Sequence, residues 1–313
     1  MHDFKIATGR SNPELSNRVA ESLGIALSQT KIHNFSDGEI WVKFEENVRG
    51  VDLFIIQSTF PPADNIFELL MLIDAAKRAS AKRITAVIPY YGYARQDRKD
   101  QPRVSITARL VANLLERAGA DRVITLDLHS SQIQGFFDIP LDNLYASPVL
   151  VSVARKLGLE NVAVAAPDLG SVKTARAYAQ KLDNAGLLVV DKRRPKHNVA
   201  EIMTIIGDPK DKNVFIVDDM MDTGTTFIKC AEAMKERGAL SVNGICVHPV
   251  LSNNATEKLE AADSVNHIFV TDTIPLKRPS DKITVVSVAD LFAESIIRTH
   301  DNRSISSLYQ IER

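Results

Sequence analysis

The residues best suited to chemistry lie together in Val217-Asp218-Asp219-Met220-Met221-Asp222-Thr223-Gly224-Thr225-Thr226. An apolar run, Asn213 to Val217, stops at two acidic residues; a small-residue turn follows, and then a helical pattern. In that order of strand, loop and helix, backbone N–H groups point above the helix N-terminus, and the macrodipole favours an anion there. The hydroxyls of Thr223, Thr225 and Thr226 add donors. The Asp218–Asp219 pair suits hydroxyl groups or a hydrated metal. A sugar phosphate carries both kinds of group.

Those residues need elements to hold them. Short β-branched runs alternate with helical patterns along most of the chain. Candidate strands include Phe4–Thr8, Ile40–Phe44, Leu53–Gln57, Ile84–Ile88, Val123–Leu126, Val162–Ala166, Leu187–Val190, Val214–Val217, Val242–Val247, Ile268–Val270 and Ile283–Val286. Candidate helices include Pro13–Leu23, Ile66–Ala79, Thr107–Arg117, Lys173–Leu182, Thr226–Arg237 and Val288–Thr299. Continuous apolar strands between amphipathic helices predict an α/β fold with mainly parallel sheets covered on both faces. The halves resemble each other. Leu53-Phe54-Ile55-Ile56-Gln57, a helix ending Ala75-Ala76-Lys77-Arg78-Ala79, and Ile84–Pro89 are echoed by Val214–Asp218, a helix ending Met234–Gly238, and Val242–Pro249. The repeat predicts two similar domains, 1–146 and 147–301, with the tail 302–313 rejoining the first. Where the second copy has Asp218-Asp219, the first has Gln57-Ser58, so only the second keeps the acidic loop.

Composition narrows the function classes. In 313 residues, 38 Lys plus Arg balance 39 Asp plus Glu, which argues against a broad nucleic-acid footprint. The two cysteines, Cys230 and Cys246, lie in apolar-periodic segments and read as buried thiols of a reducing compartment. No apolar run is long enough to span a bilayer and the N-terminus lacks a signal-peptide shape, so a cytoplasmic location without membrane partners is expected.

Five further segments carry polar groups at strand ends or turns. Phe35-Ser36-Asp37-Gly38-Glu39 pairs an aromatic ring with an acid–Gly–acid turn, suited to stacking a base and accepting from its amino group; a plain turn is the bland alternative. Tyr90-Tyr91-Gly92-Tyr93-Ala94-Arg95-Gln96-Asp97-Arg98-Lys99 places cations after a strand, where Arg suits phosphate oxygens. His129, within the string Asp127–Asp142, sits beyond a strand's carboxyl end, although a lone loop His is more often structural. Asp168, in Pro167-Asp168-Leu169-Gly170-Ser171, opens a small-residue loop able to wrap a pyrophosphate beside Mg²⁺. Asp191-Lys192-Arg193-Arg194-Pro195-Lys196 is either a solvated charge run or a cationic flap closing over phosphates.

These segments, in this order from Phe4 almost to the C-terminus, resemble class I ribose-phosphate pyrophosphokinase (PRPP synthetase); the Asp127–Asp142 string matches the family signature closely. The resemblance implies two phosphoribosyltransferase-type α/β domains and Mg²⁺-dependent transfer of the β,γ-diphosphoryl group of ATP to the 1-hydroxyl of ribose 5-phosphate, yielding PRPP and AMP for nucleotide biosynthesis. It assigns Phe35, Asp37, Gly38 and Glu39 to adenine from an adjacent subunit, and Arg95 and Gln96 to ATP. It puts His129 and Asp168 at Mg²⁺, and Lys192 and Arg194 at the transferring group, with Arg194 also toward the sugar phosphate. Asp218 and Asp219 go to the ribose hydroxyls, and Asp222, Thr223, Gly224, Thr225 and Thr226 to the 5-phosphate. Asp222 is also a candidate proton acceptor by placement. The resemblance further implies a homo-hexamer of dimers, and phosphate and ADP effectors at Arg49, Ser304 and Ser306.

Two positions depart from the family pattern. Its pyrophosphate loop reads Asp-x-Gly-Gly where this chain ends in Ser171; its sugar-phosphate loop reads Asp-Thr-x-Gly-Thr where this chain has Thr225. Each swap keeps a backbone N–H but adds a Cβ, which is costly if the position needs a positive φ. The altered loops motivate a non-catalytic regulatory homologue as an alternative, and the opening loop alone also fits a phosphoribosyltransferase.

Overall fold

A computed structural model describes residues 4–193 and 202–309, and all counts below refer to these. The chain divides into two compact units, one of residues 1–145 with 287–310, the other centred on 146–286.

The first unit is built on a five-stranded, all-parallel sheet. Its strands are β1 (Phe4–Thr8), β4 (Asp52–Ile56), β5 (Arg83–Ile88), β6 (Arg122–Leu126) and β7 (Leu141–Leu144), paired in that order. Helices α1 (Pro13–Leu23), α2 (Asp64–Arg78), α3 (Thr107–Ala118) and α8 (Ala289–His300) complete it. All five β4 residues are buried, as expected for a central parallel strand. The helices bury one stripe each; in α3 it is Ala108, Val111, Ala112 and Leu115, a spacing of three and four residues. Helix α1 starts where the Asn12 side chain accepts from Leu15 N at 3.3 Å and Pro13 occupies the first turn.

The second unit's sheet has seven strands in the order β10 (Ile202–Ile206), β9 (Gly186–Arg193), β8 (Val162–Ala166), β11 (Asn213–Met220), β12 (Ser241–His248), β13 (His267–Thr271) and β14 (Ile283–Val286). Only β9 and β10 pair antiparallel. Its helices are α4 (Ser147–Arg155), α5 (Val172–Lys181), α6 (Thr225–Glu236) and α7 (Ala255–Ala261). Residues Val214–Val217 of β11 are buried, and Val214 and Ile216 pack with Phe227, Cys230, Ala231 and Met234 of α6 in one core.

The repeat seen in sequence is therefore topological. Strands β1-β4-β5-β6-β7 and β8-β11-β12-β13-β14 lie in the same order and sense. Each unit also inserts an antiparallel pair between its first helix and second core strand: β2 (Thr30–Asn34) with β3 (Ile40–Phe44) in the first, and β9 with β10 in the second. Residues Phe35–Glu39 form the turn of the first pair, and Lys192 lies near the end of β9 in the second.

The domain boundary at 301 is corrected. Helix α8 belongs with the first unit, because it packs on α1, Ser22 Oγ donates to Asp290 Oδ1 at 2.9 Å, and the His300 ring sits 5.0 Å from that of Phe4. His300 Nδ1 also lies 2.7 Å from Asp52 Oδ2, a carboxylate shared with Arg83. Three strands escaped the sequence reading. Strand β2 is half-exposed and polar, while β7 and β10 are short edge strands.

One close approach fixes the segment that carries Arg95. Gly92 N donates to Thr59 Oγ1 at 2.8 Å, and a Cβ at Gly92 would stand 2.0 Å from the Thr59 carbonyl oxygen. We expect Gly92→Ala to destabilise the protein by about 2 kcal/mol, the cost of forcing backbone apart in a packed region. Urea unfolding checks this; a change below about 0.5 kcal/mol would mean the two strand ends separate freely.

Candidate functional site

In the second unit, the parallel pairing of β8 with β11 (Ala165 opposite Ile216) brings the segments after both strands to one edge. Asp168 follows β8, and Asp218 and Asp219 end β11. Asp168 Oδ1 accepts from the Ser171 backbone N at 3.0 Å and lies 3.1 Å from Ser171 Oγ. The same hydroxyl lies 3.1 Å from Asp218 Oδ1, which also accepts from Asp219 N at 3.0 Å. The site thus gathers three carboxylates. Burial, then the neighbouring Asp219 and Asp168 charges, push the Asp218 carboxyl up to about 8, against a smaller lowering by the Ser171 hydroxyl.

The sugar-phosphate-type loop continues from there. Gly224 caps α6 in the left-handed conformation (φ 71°), and a Cβ on it would meet Leu259 at 3.3 Å. The first helical hydrogen bond from this cap is Ile228 N to Gly224 O, so the N–H groups of Thr225, Thr226 and Phe227 have no carbonyl earlier in the helix. No side chain caps this end. Thr223, Thr225 and Thr226 are exposed, and Asp222 is half-buried. The segment after β12, not singled out in sequence, braces the loop: Met221 N donates to His248 O, Leu251 N to Met221 O and Ser252 N to Asp222 O, at 2.9 to 3.0 Å. Its only sequence signal is the turn chemistry of Pro249 and Asn253-Asn254.

The strain anticipated at the two departing positions is absent. The positive φ falls on Gly224, while Thr225 is the first residue of α6. Ser171 has φ −84° and ψ −2°, ordinary right-handed backbone, as the residue preceding α5. Neither added Cβ requires an unusual conformation, so the main motive for the non-catalytic alternative is removed.

In the first unit, Arg95, Gln96 and His129 line one open cleft of about 620 Å³, with Arg98, Ser105 and Ser130. Gln96 is held by its N–H to Tyr93 O at 3.0 Å and by Thr107 Oγ1 donating to its Oε1 at 2.5 Å. The His129 loop turns at Asp127 (φ 39°), and Leu128 N donates to Asn143 Oδ1 at 3.1 Å. Phe35, Asp37, Gly38 and Glu39 do not line this cleft. They form the exposed turn between β2 and β3, closed by Phe35 N to Glu39 O at 2.8 Å and by Glu39 N to Asp37 Oδ1 at 3.0 Å, with the Phe35 ring edge-on to His33. Arg49, Ser304 and Ser306 are exposed in the same unit; Arg49 N donates to Asn47 Oδ1 and Ser306 N to Ser304 Oγ.

The backbone of Lys192 lies in β9, beyond Val189, the residue in register with Ala166. The flap expected around Arg194 lies outside the described residues.

The donors of the second unit fit a hydrated magnesium ion. Asp168, Asp218 and Asp219 offer hard oxygen ligands, and their mutual repulsion is what a divalent cation relieves. Among the described residues no group of three or more His, Cys, Asp or Glu side chains is placed to hold a metal ion by itself. Magnesium commonly uses one or two carboxylates together with water and phosphate oxygens.

Comparison with known proteins gives a consistent picture. A family model described as the N-terminal domain of ribose phosphate pyrophosphokinase matches residues 4–119, and one described as a phosphoribosyl synthetase-associated domain matches residues 183–310. The chain is 55% identical to a ribose-phosphate pyrophosphokinase of Chlorobaculum tepidum, covering 98% of this chain and 95% of that one. It is 53% identical to that of Wolinella succinogenes, covering 99% and 100%. The crystal structure of phosphoribosylpyrophosphate synthetase from Mycobacterium smegmatis superposes with a TM-score of 0.91 at 38% identity, covering 96% of this chain and 100% of the other.

The raised Asp218 carboxyl has a consequence for stability. Below its unfolded value of 3.8 the group is protonated in both states; between there and about 8 the folded protein holds a proton the unfolded chain has lost, so stability falls as pH rises. Asp218→Asn removes this dependence. Its stability relative to the parent should improve by roughly 1–2 kcal/mol between pH 5 and 8, less than full linkage because the group retains solvent contact. Urea unfolding in EDTA at several pH values measures it, and a difference that stays flat with pH would contradict the assignment.

Proposed function

The chain belongs to the ribose-phosphate pyrophosphokinase family, and from that premise we propose that it transfers the diphosphoryl group of ATP to the 1-hydroxyl of ribose 5-phosphate, giving PRPP and AMP. The observation that carries this reading is the joining of three carboxylates to an uncapped helix N-terminus at one sheet edge. That pairing suits a ligand with adjacent hydroxyls and a phosphate. Asp218 and Asp219 accept from the ribose hydroxyls, directly or through hydrated metal. Asp222 to Thr226 take the 5-phosphate on backbone N–H groups and threonine hydroxyls.

In the reaction, the 1-hydroxyl oxygen bonds to the β-phosphorus and gives its proton to a base, for which Asp222 is the candidate, and from there to solvent. The bond from that phosphorus to the oxygen bridging toward the α-phosphate breaks, and AMP leaves with that oxygen. Positioning and charge neutralisation do most of the work in such transfers. Lys192 and Arg194 meet the charge on the transferring group, while Arg95 and Gln96 orient the nucleotide. Asp168 and His129 are each assigned to Mg²⁺, which when bound neutralises phosphate charge and orients the phosphate chain. No protein nucleophile is required, and both cysteines are buried.

Phe35, Asp37, Gly38 and Glu39 form an exposed turn outside the Arg95 cleft, which supports their serving the adenine of a neighbouring subunit in a hexamer of dimers. Arg49, Ser304 and Ser306 are assigned to a phosphate and ADP effector site. Among the described residues no helix is long and apolar enough to cross a membrane; the two buried free cysteines support a cytoplasmic enzyme.

The direct test is AMP formation from ATP and ribose 5-phosphate with Mg²⁺ and phosphate present; no product would reject the reading. Lys192→Ala should lower kcat at least about a hundredfold while KM for both substrates moves only a few-fold, because a cation on the transferring group acts mainly in the transition state. Near-normal turnover would remove Lys192 from that role.

A further inference from the structure

Ser171 stands where the resemblance leads one to expect glycine, and its two donors reach two different loops. Its N–H already serves Asp168, at 3.0 Å. Its hydroxyl has a single proton and lies 3.1 Å from both Asp168 Oδ1 and Asp218 Oδ1. Asp168 keeps the backbone N–H whichever way the hydroxyl turns, whereas Asp218 has only the hydroxyl from Ser171. One residue thereby ties the loop after β8 to the end of β11. Glycine would keep the first bond and lose the second.

The first unit contains the same device in another use. Ser11, before α1, donates its N–H and its hydroxyl to Gln57 Oε1, at 3.1 and 2.7 Å, and Gln57 follows β4 as Asp218 follows Val217 in β11. There the serine closes a filled crevice: Gln57 Nε2 donates to Glu68 Oε1 at 3.0 Å, and the buried Glu68 takes Arg10 Nε at 2.7 Å. A serine before the helix that follows the first core strand, its hydroxyl bonded to a residue at the end of the neighbouring strand, thus recurs in both units. In the second unit the bonded group is the half-buried Asp218 carboxyl.

We infer that Ser171 is a positioning residue for ribose 5-phosphate, holding the Asp218 carboxyl in its ligand-accepting orientation before the sugar arrives. The inference rests on the proposed activity. An orientation set in advance lowers the ordering cost of binding and leaves the transfer step itself untouched.

Ser171→Ala, Ser171→Gly and Ser171→Thr in the full chain test it, by calorimetric titration of ribose 5-phosphate in EDTA and by steady-state AMP formation. Ala and Gly are expected to raise both Kd and KM for ribose 5-phosphate about threefold to tenfold, with kcat within about twofold. Thr keeps the hydroxyl and should stay near the parent. Kd and KM unchanged in Ala and Gly, or a loss in Thr equal to that in Ala, would overturn the role of Ser171 while leaving the activity standing. A parent protein that neither binds ribose 5-phosphate nor forms AMP would instead overturn the functional reading.

Discussion

The parallel register of β8 against β11 is the constraint on which the second unit's chemistry depends. Parallel strands all end at the same edge, so whatever follows them is gathered there. With Ala165 opposite Ile216, Asp168 and the Asp218–Asp219 pair emerge within reach of one serine hydroxyl. The gathering has an electrostatic cost, visible in the Asp218 carboxyl pushed up to about 8 by burial and neighbouring charge. A structure selected only for stability would not keep three carboxylates there. On the function proposed above they serve a cation and hydroxyl groups, and α6 beside them has N–H donors suited to an anion.

The two units show how one architecture is turned to different ends. Five parallel strands recur in the same order, each with an antiparallel pair inserted at the same point. In the first unit the crevice equivalent to the acidic one is filled by Gln57, Glu68 and Arg10, which satisfy one another. A Cβ on Gly9 would collide with Gln57 Oε1 at 2.4 Å, a measure of how tightly that crevice is closed. The first unit's polar groups gather instead around Arg95, Gln96 and His129, on loops after β5 and β6. The inserted pairs diverge likewise, one bearing an aromatic and acidic turn, the other leading into a run of cations.

Much of the fold was legible because it rests on local signals. The apolar runs at Leu53–Ile56 and Val214–Val217 are too continuous for surface strands, and helices such as α3 show one apolar stripe. Strands β2 and β7 were not legible, since an edge or half-exposed strand need not be apolar; β10, apolar but for Thr204, carried a legible run that the sequence reading passed over. Placement of α8 was not legible either. Its amphipathic pattern says that it packs, but the partner is α1, more than 260 residues earlier in the chain, as the Ser22–Asp290 bond shows.

By itself the sequence determined the alternation of strands and helices, the repeat, the acidic pair and the phosphate-type turn, because each is a matter of residue type at short spacing. Tertiary structure decided which of these meet. Only the strand register joins Asp168 to Asp218 through Ser171, and only the backbone path assigns the positive φ to Gly224 instead of Thr225. A hydrogen bond across 47 residues and a sign of φ both depend on how distant segments pack, which short-range patterns do not encode.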